Sequence, residues 1–316
     1  MTTVRDALPM LLDEVEAVRV ERLSPSFVRV ELGGACLADF GVDGPLYDQR
    51  IKLIFPDGDR PLPSLAGAGA SWYAEWLARP VAERGHLRTY TVRDVRGEGA
   101  ATRLVVDFAV HGADGTAGPG SSWAERARVG DRLVLLAPRR GHEFGGIEFA
   151  PGTASRVLLA GDETAVPAIC AILGQLSGQT RGAAFLEVPT SADVQTVPHP
   201  EGVEVVWLPR DGGPLGARVH AAVLGHLGVA GQRLEEPEDV DPDLWETPSY
   251  SSSGEAVGAG TGPTGSDGRL EDVYAWIAGE SGVVTALRRA LVRDLGMDRR
   301  QVAFMGYWRR GVAMGA

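Results

Sequence analysis

Residues 88–91 read Arg-Thr-Tyr-Thr inside a segment, 85–94, that is otherwise typical of a β-strand. Successive side chains of a strand point to opposite faces, so Arg88 and Tyr90 share one face and Thr89 and Thr91 the other. A guanidinium beside an aromatic ring suits a flat ligand that carries phosphate. The residues alone leave open a second interpretation, an ordinary strand with a surface arginine and a cross-strand tyrosine.

A second candidate for phosphate binding is the Gly-Pro-Gly-Ser-Ser sequence at 118–122. We expect a helix to begin near Trp123, and the N-terminus of a helix attracts phosphate through its backbone N–H groups. Ser121, Ser122 and Trp123 are therefore candidate cofactor-binding residues. The alternative is that Ser121 or Ser122 is a helix N-cap, and the two roles are compatible.

A similar turn occurs in the second half, where an apolar segment at 156–161 is followed by Asp162, Glu163 and Thr164. A strand, a tight turn at Gly161 and a helix starting near Glu163 form the geometry that receives a dinucleotide. Two carboxylates would repel a pyrophosphate. We therefore expect Asp162 and Glu163 to cap the helix and face the cofactor pocket, leaving Thr164 and backbone amides for the nucleotide.

If a dinucleotide binds at this turn, residues at the neighbouring strand ends would select between NADH and NADPH. Glu187 follows an apolar strand and is placed to bind a ribose hydroxyl and repel a 2′-phosphate, which favours NADH. Arg181 and Arg210 are equally able to bind a 2′-phosphate, so NADPH stays open.

The predicted secondary structure differs between the two halves of the chain. The first half contains short runs rich in Val, Ile, Leu and aromatic residues, typical of an antiparallel barrel or sandwich. From about residue 156, apolar strands alternate with helical segments, which predicts a parallel sheet covered on both faces. We place the domains at 1–152 and 153–316. A segment at 231–272 is acidic first and then rich in Ser and Gly, which predicts a largely disordered surface insertion.

Composition excludes several classes of protein. A formal charge of -11 argues against a nucleic-acid partner and against an anionic membrane surface. The N-terminus lacks the pattern of a secretory signal, and no apolar stretch approaches the roughly 20 residues of a membrane span, so we expect a cytoplasmic protein. The two cysteines, Cys36 and Cys170, fit no metal or iron–sulfur spacing. We expect no metal site, and any electron transfer then requires an organic cofactor.

A barrel followed by a parallel α/β domain, with Arg-x-Tyr-Thr on a barrel strand, resembles the ferredoxin-reductase-like flavoenzymes. The sequences DFAVHG, LLAGDETAVPAI, AGE and GYWRRG further resemble the siderophore-interacting proteins, also called ferric-siderophore reductases, in order and approximate spacing. The resemblance covers nearly the whole chain outside 231–272. It implies an N-terminal antiparallel FAD-binding β-barrel followed by a C-terminal parallel-sheet domain that binds a nicotinamide nucleotide.

The resemblance also implies roles for single residues in flavin binding. Arg88 would pair with the FAD pyrophosphate, Tyr90 would pack on the isoalloxazine, and Thr91 would reach toward its N5 edge. His111 resembles the family histidine beside the flavin, although a histidine at a strand end equally serves as a structural hydrogen-bond partner.

In the second domain, Ala278-Gly279-Glu280 replaces the Cys-Gly-Pro turn of plant-type reductases. Gly279 would let the nicotinamide approach closely, and Glu280 would bind ribose or cap the next helix. Tyr307 and Trp308 lie at the end of the last predicted strand, where aromatic rings would close the open face of the flavin.

Three basic residues are candidates for the catalytic site. Arg309 and Arg310 follow Trp308, and Lys52 alternates with apolar neighbours on a barrel strand. In the family, a lysine in this setting helps to form a basic pocket. We expect Lys52 and one of the two arginines to meet at the flavin edge and attract an anionic ferric siderophore. Surface arginines beside a core tryptophan are the alternative.

The leading hypothesis is reduction of a ferric siderophore by bound FAD, with release of Fe(II). NADH, NADPH or a ferredoxin would supply the electrons. One alternative is a general flavin reductase or electron-transfer reductase, although the cysteine count leaves no iron–sulfur domain in this chain. The other alternative is a siderophore-binding protein without turnover.

Overall fold

The computed structural model describes residues 8–62, 65, 68–110, 117–229 and 270–311, together with the backbone of 245–246. The chain divides into two compact units, Met1–Ile147 and Glu148–Gly315. The division falls before residue 152 because the Tyr274 hydroxyl binds the preceding segment. That hydroxyl donates to the Glu148 carbonyl at 2.9 Å and accepts from the Ala150 amide at 3.1 Å.

The first unit contains a seven-stranded antiparallel sheet in the order β4-β3-β7-β1-β2-β6-β5. This arrangement confirms the predicted antiparallel class. The strands are β1 (Met10–Ser24), β2 (Phe27–Gly33), β3 (Arg50–Phe55), β4 (His86–Thr91), β5 (Asp94–Arg96), β6 (Arg103–Ala109) and β7 (Arg132–Pro138).

The sheet of the first unit curves around one apolar core. Side chains from β1, β2, β3, β6 and β7 meet in a single buried cluster, including Leu11, Val30, Leu53 and Phe108. Helix α3, which spans Pro119–Arg126, adds Trp123 to the same cluster. A curved sheet whose inner face is filled by side chains has the character of a small barrel.

The opposite face of β3, β4 and β7 is covered by the chain between β3 and β4. Two short helices form there, α1 (Trp72–Leu77) and α2 (Val81–Arg84). Trp76 is fully buried and packs in a second cluster with Ile54 and Leu87. Its indole nitrogen donates to the Arg84 carbonyl at 2.8 Å, which joins the two helices.

The second unit has a six-stranded sheet in the order β10-β9-β8-β12-β13-β11, in which all strands except β11 are parallel. This confirms the predicted parallel sheet. The strands are β8 (Arg156–Gly161), β9 (Arg181–Val188), β10 (Val203–Pro209), β11 (Trp245–Glu246), β12 (Val273–Glu280) and β13 (Val302–Trp308). The helices are α4 (Val166–Leu173), α5 (Ala217–His226) and α6 (Ser281–Arg289).

The strand order reverses between β8 and β12. Chain order runs outward from β8 to β9 and β10 on one side, and from β12 to β13 on the other. In doubly wound folds, ligands bind beyond the carboxyl ends of the strands at such a reversal point. The ends of β8 and β12 therefore mark the part of the second unit where a ligand site is expected.

Most of the predicted insertion at 231–272 lies outside the described residues. Two parts of it are structured. Trp245–Glu246 pairs with β13 as an antiparallel edge strand, and Leu270 is buried in the core of the second unit. The prediction of a disordered insertion does not hold for these residues, because the Gln301 side chain also bonds the carbonyls of Leu270 and Glu271.

Candidate functional site

Arg88 and Tyr90 lie on β4, next to β3 in the sheet. The register pairs Arg88 with Leu53 and Tyr90 with Ile51. Cross-strand partners share a face, and both partners belong to the barrel core, so Arg88 and Tyr90 lie on that face. Their Cα atoms are about 7 Å apart along the strand. The period-two geometry that the sequence predicted is therefore the one the strand adopts.

Arg88 is a half-buried cation without an acidic partner in the described part of the chain. Its guanidinium donates a hydrogen bond to the Leu87 carbonyl at 2.7 Å. Burial lowers the pKa of Arg88, and the nearby Tyr90 works against that shift. A partly desolvated guanidinium that has no carboxylate to neutralise it is a good receptor for an anionic group.

Tyr90 packs directly against the first turn of helix α3. A Cβ atom added at Gly120 would lie 1.9 Å from the Tyr90 hydroxyl oxygen, so glycine is required at that position. The Tyr90 ring also lies 4.5 Å from the Phe108 ring and 5.7 Å from the Phe55 ring. The structure thus brings the Arg-x-Tyr-Thr strand and the start of α3 together.

Helix α3 begins at Pro119, four residues earlier than the predicted start at Trp123, and Gly118 is its N-cap. Ser121 and Ser122 consequently lie in the first turn, so neither is the cap that the sequence suggested. Ser121 is buried, and the Ser122 hydroxyl donates to the Ala117 carbonyl at 3.3 Å. Proline at the first helical position was the available signal for the earlier start.

Trp123 contributes to packing of the barrel core. It is buried, and its ring lies 5.6 Å from both the Phe55 and Phe108 rings. Its aromatic surface is therefore occupied by core residues, and the cofactor contact expected for it receives no support from this placement. Its effect on a ligand at Tyr90 would be indirect, through the shared Phe108 ring.

Lys52 and Thr91 lie on the other face of the β3–β4 pair. Lys52 is opposite Thr89 in the register and its ammonium donates to the Thr89 hydroxyl at 3.1 Å. Partial desolvation lowers the pKa of Lys52, and the nearby Arg50 charge adds to the effect. Thr91 is buried opposite Arg50. His111 lies outside the described residues.

The first unit fits a flavin nucleotide on its own geometry. Arg88 supplies an unneutralised guanidinium for a phosphate, and Tyr90 supplies an aromatic plane. The N-terminal turn of α3, held against Tyr90 through Gly120, supplies backbone groups with the polarity that phosphate prefers.

In the second unit, Asp162 follows β8 and is almost fully buried. One of its oxygens accepts from the Thr164 amide at 2.9 Å and from the Thr164 hydroxyl. The other accepts from the Glu280 amide at 2.7 Å and from the Trp308 indole at 2.9 Å. Burial and the neighbouring Glu163 charge raise the pKa of Asp162 to about 7, while the hydrogen bonds from Thr164 and Trp308 oppose the rise.

Glu163 does not face a cofactor pocket, which corrects the sequence prediction. It is buried, and Arg210 holds its two oxygens with guanidinium distances of 2.6 and 3.0 Å. Helix α4 starts at Val166 rather than near Glu163. Arg210, a candidate for binding a 2′-phosphate, therefore pairs with a protein carboxylate instead.

Glu187 also makes its hydrogen bonds within the protein. It is fully buried and accepts from the Gly216 amide at 2.7 Å and the Val219 amide at 3.0 Å, at the start of α5. Arg210 approaches it at 3.4 Å. No carboxylate oxygen is presented to a ribose, so the argument that Glu187 favours NADH is wrong.

Glu280 acts as the N-cap of α6, the second of the two roles that the sequence allowed. Its side chain accepts from the Gly282 amide at 2.7 Å and the Val283 amide at 3.0 Å. Gly279 has φ of +143°, and a Cβ atom there would lie 2.6 Å from the Asp162 carboxylate. This glycine is required by packing within the protein.

The Tyr307–Arg310 segment is held by the same carboxylates. The Trp308 indole is bonded to Asp162, and the Trp308 carbonyl accepts from the Ser281 hydroxyl at 2.9 Å. The Arg310 amide donates to Glu280 at 3.2 Å, while the Arg310 side chain is exposed and makes no ion pair with any described residue. Tyr307 is partly buried, with its ring 6.4 Å from that of Trp276.

The sequence interpretation named the buried acids one by one as candidate site residues, and their positions at strand ends were the signal for them. Asp162, Glu187 and Glu280 each follow or end an apolar parallel strand. Within the described ranges there is no group of three or more His, Cys, Asp or Glu side chains arranged to hold a metal ion. The same part of the chain contains no helix that is long and apolar enough to cross a membrane.

Two family models match this chain. The model described as the siderophore-interacting FAD-binding domain matches residues 16–142, and the model of the siderophore-interacting protein matches 154–311. The chain therefore belongs to the siderophore-interacting protein family, as its motifs indicated. The first match covers the strand and helix that carry Arg88, Tyr90 and Gly120, and it identifies the first unit as the FAD-binding domain.

Two relatives of known name and one solved structure agree with this assignment. The chain is 31% identical to the ferric vibriobactin reductase ViuB of Vibrio cholerae over 98% of this chain and 92% of that protein. It is 30% identical to the NADPH-dependent ferric-chelate reductase of Escherichia coli over 65% of this chain and 74% of that protein. The crystal structure of a siderophore utilization protein from T. fusca matches with a TM-score of 0.64 and 29% identity, covering 98% of this chain and 96% of that one.

Proposed function

We propose that this protein is an FAD-dependent reductase of ferric siderophores. The FAD-binding family match supports the cofactor, and the relatives named as ferric vibriobactin reductase and NADPH-dependent ferric-chelate reductase support the reaction class. A flavin accepts electrons in pairs and releases them singly, which is the chemistry needed between a hydride donor and Fe(III). Ferrous iron binds the hard oxygen ligands of a siderophore less tightly, so reduction releases it.

The observation that carries the proposal is the half-buried Arg88 guanidinium beside Tyr90. In the described part of the chain Arg88 has no acidic partner, and Tyr90 touches the start of helix α3. Arg88 binds the FAD pyrophosphate, and Tyr90 orients the isoalloxazine by packing. The first turn of α3, with Ser121 and Ser122, lies at the phosphates, whereas the Thr91 side chain is buried on the opposite face of β4 from Tyr90.

Basic side chains are assigned to the ferric complex. Lys52 keeps its ammonium at the surface, with the Thr89 hydroxyl as its hydrogen-bond partner. In the second unit, Arg310 is exposed and Arg309 partly so. In a chain with a formal charge of -11, these cations supply local attraction for an anionic substrate. Electrons come from NADH, NADPH or a reduced ferredoxin.

The test is spectroscopy and turnover on one preparation. The purified protein should show the absorbance bands of bound FAD, and with NADH, NADPH or reduced ferredoxin it should reduce a ferric siderophore in the presence of a ferrous-specific chelator. A protein without flavin, which cannot be loaded with FAD, would exclude a flavin enzyme. A flavin-loaded protein that reduces free flavin but no ferric siderophore would leave a general flavin reductase instead.

A further inference from the structure

Three helices of the second unit begin at the carboxyl edge of the parallel sheet. Helix α4 follows β8, α5 follows β10, and α6 follows β12. The start of a helix carries partial positive charge and unpaired N–H groups, which is why doubly wound domains bind the diphosphate of a dinucleotide there. The reversal point between β8 and β12 lies between the starts of α4 and α6.

Each of these helix starts is bonded to a carboxylate or carbonyl of this chain. Before α4, the Asp162 side chain accepts from the Thr164 amide, and the Asp162 carbonyl accepts from the Ala165 amide at 2.9 Å. Glu187 accepts from two amides at the start of α5, and Glu280 from two at the start of α6. These amides are therefore occupied by anionic or carbonyl oxygens before any ligand arrives.

The charge at this edge also opposes a phosphate. Glu163, Glu187 and Glu280 are buried within it, and the Arg210 guanidinium is already shared between Glu163 and Glu187. Asp162, whose pKa burial raises to about 7, adds its charge above that pH. A diphosphate placed beside these carboxylates would face like charge in a partly desolvated region, where repulsion is weakly screened.

The glycines at the reversal point are packed against this chain. A cavity of about 10 Å³, roughly the room for one water, lies beside Gly161, Asp162, Gly279 and Glu280. Glycines at such turns commonly let a ligand approach the backbone. Here, a Cβ atom at Gly279 would meet Asp162, and one at Gly161 would meet the Ala278 carbonyl at 2.5 Å. Contacts within the protein account for both glycines.

We propose that Asp162, Glu187 and Glu280 exclude the diphosphate of a dinucleotide from the helix starts of the second unit. A reduced nicotinamide donor then gains little affinity from its adenosine diphosphate half, which also carries the 2′-phosphate that separates NADPH from NADH. The relevance to turnover rests on the proposed function, whereas the binding claim concerns only the second unit. The nicotinamide end of the donor is the part that the protein recognises.

The direct test is calorimetric titration of the FAD-loaded protein with ADP-ribose, which contains the adenosine diphosphate half and no nicotinamide. We expect no binding with a Kd below about 1 mM. In steady state, reduced nicotinamide mononucleotide, NADH and NADPH should give kcat/KM values within about tenfold of one another. Submillimolar binding of ADP-ribose, or a dinucleotide preference well beyond tenfold, would overturn the proposal.

A gain of binding tests the residues themselves. Glu280→Ala frees the Gly282 and Val283 amides. The control is Glu201→Ala, which removes an exposed acid from the same unit. The Kd of the Glu280→Ala variant for ADP-ribose should be about tenfold or more below that of the control variant. Glu280→Gln keeps an acceptor for the helix start while removing the charge, and serves if the alanine variant does not fold. Equal affinity in the Glu280 and Glu201 variants would contradict exclusion by Glu280.

Different experiments would refute the exclusion of the diphosphate and the proposed reductase function. Dithionite supplies electrons without any nicotinamide, so dithionite-reduced protein that does not reduce a ferric siderophore would remove the proposed function. The ADP-ribose titration would still decide the claim about the diphosphate, because it measures binding to the protein without turnover.

Discussion

The indole nitrogen of Trp308 donates to a carboxylate oxygen of Asp162 at 2.9 Å, across 146 residues of sequence. The same oxygen accepts from the Glu280 amide at 2.7 Å. One buried carboxylate therefore joins the ends of β8, β12 and β13. The GDET sequence, which resembled a nucleotide-binding turn, serves to fix the last strand and its aromatic residue.

Replacing Asp162 by Ala should release the Trp308 side chain. Above about pH 7, where this carboxyl is ionised, hydrogen bonds to it contribute about 1.5 to 3 kcal/mol each, so we expect the free energy of unfolding to fall by at least about 1.5 kcal/mol in urea titrations at that pH. The Trp308 fluorescence should shift to longer wavelength as its ring becomes more mobile. In a double-mutant cycle with Trp308→Phe, coupling should exceed about 0.5 kcal/mol. Strict additivity would show that the hydrogen bond does not stabilise the fold.

The raised pKa of Asp162 predicts a pH dependence of stability. Burial and the neighbouring Glu163 charge raise the pKa of this group to about 7 in the folded protein, from an ordinary value of 3.8. Between these values the folded state binds more protons than the unfolded state, so the contribution of Asp162 to stability falls as pH rises. Relative to Asp162→Asn, the wild type should lose up to about 1.4 kcal/mol for each pH unit across this window. A difference between the two proteins that is constant from about pH 5 to about pH 7.5 would contradict the raised pKa.

Arg88→Ala should weaken FAD binding. Loss of a charge-assisted contact of about 1.5 to 3 kcal/mol corresponds to a rise in the FAD Kd of about tenfold or more. Equilibrium dialysis or flavin fluorescence measures the change, and Arg128→Ala removes an exposed arginine of the same unit as a control. Full flavin occupancy at wild-type affinity in the Arg88 variant would remove Arg88 from the site.

Lys52→Ala and Arg310→Ala test whether these two cations attract the substrate. Each should raise the KM for an anionic ferric siderophore more than it slows flavin reduction, because the lost charge acts on substrate attraction. The effect should shrink as salt increases, since charges exposed to solvent are screened over a Debye length of about 8 Å at physiological ionic strength. A neutral acceptor is the control. Equal losses with both acceptors at all salt concentrations would leave substrate attraction by these residues without support.

Much of the fold follows from patterns that are local in sequence. Strand β6 alternates buried Leu104, Val106 and Phe108 on its core face, and β8 and β12 are continuous apolar runs of the kind that parallel sheets bury. Strand β1 was not predicted. Its pairing with β2 shifts register between Ala17 and Arg19 and again after Arg22, and these irregularities break the two-residue period.

The flavin motif was visible in the sequence because its residues are adjacent on one strand. The network of Glu163, Arg210 and Glu187 was not, because its members come from three separate strand ends that only the tertiary fold brings together. Sequence spacing indicated an acid at each strand end. For Glu280 it left a ribose contact and a helix cap open, and for Glu187 it indicated a ribose contact, whereas both carboxylates bond the N-termini of helices.

The most direct test of the reductase assignment is an anaerobic single turnover. FAD-loaded protein is reduced with one equivalent of dithionite and mixed with a ferric siderophore and a ferrous-specific chelator, while flavin and ferrous absorbance are followed together. The absorbance band of oxidised flavin should return as the ferrous complex forms. Two Fe(II) should form for each flavin, because a fully reduced flavin carries two electrons. Flavin that stays reduced while the ferric complex is unchanged would contradict the assignment.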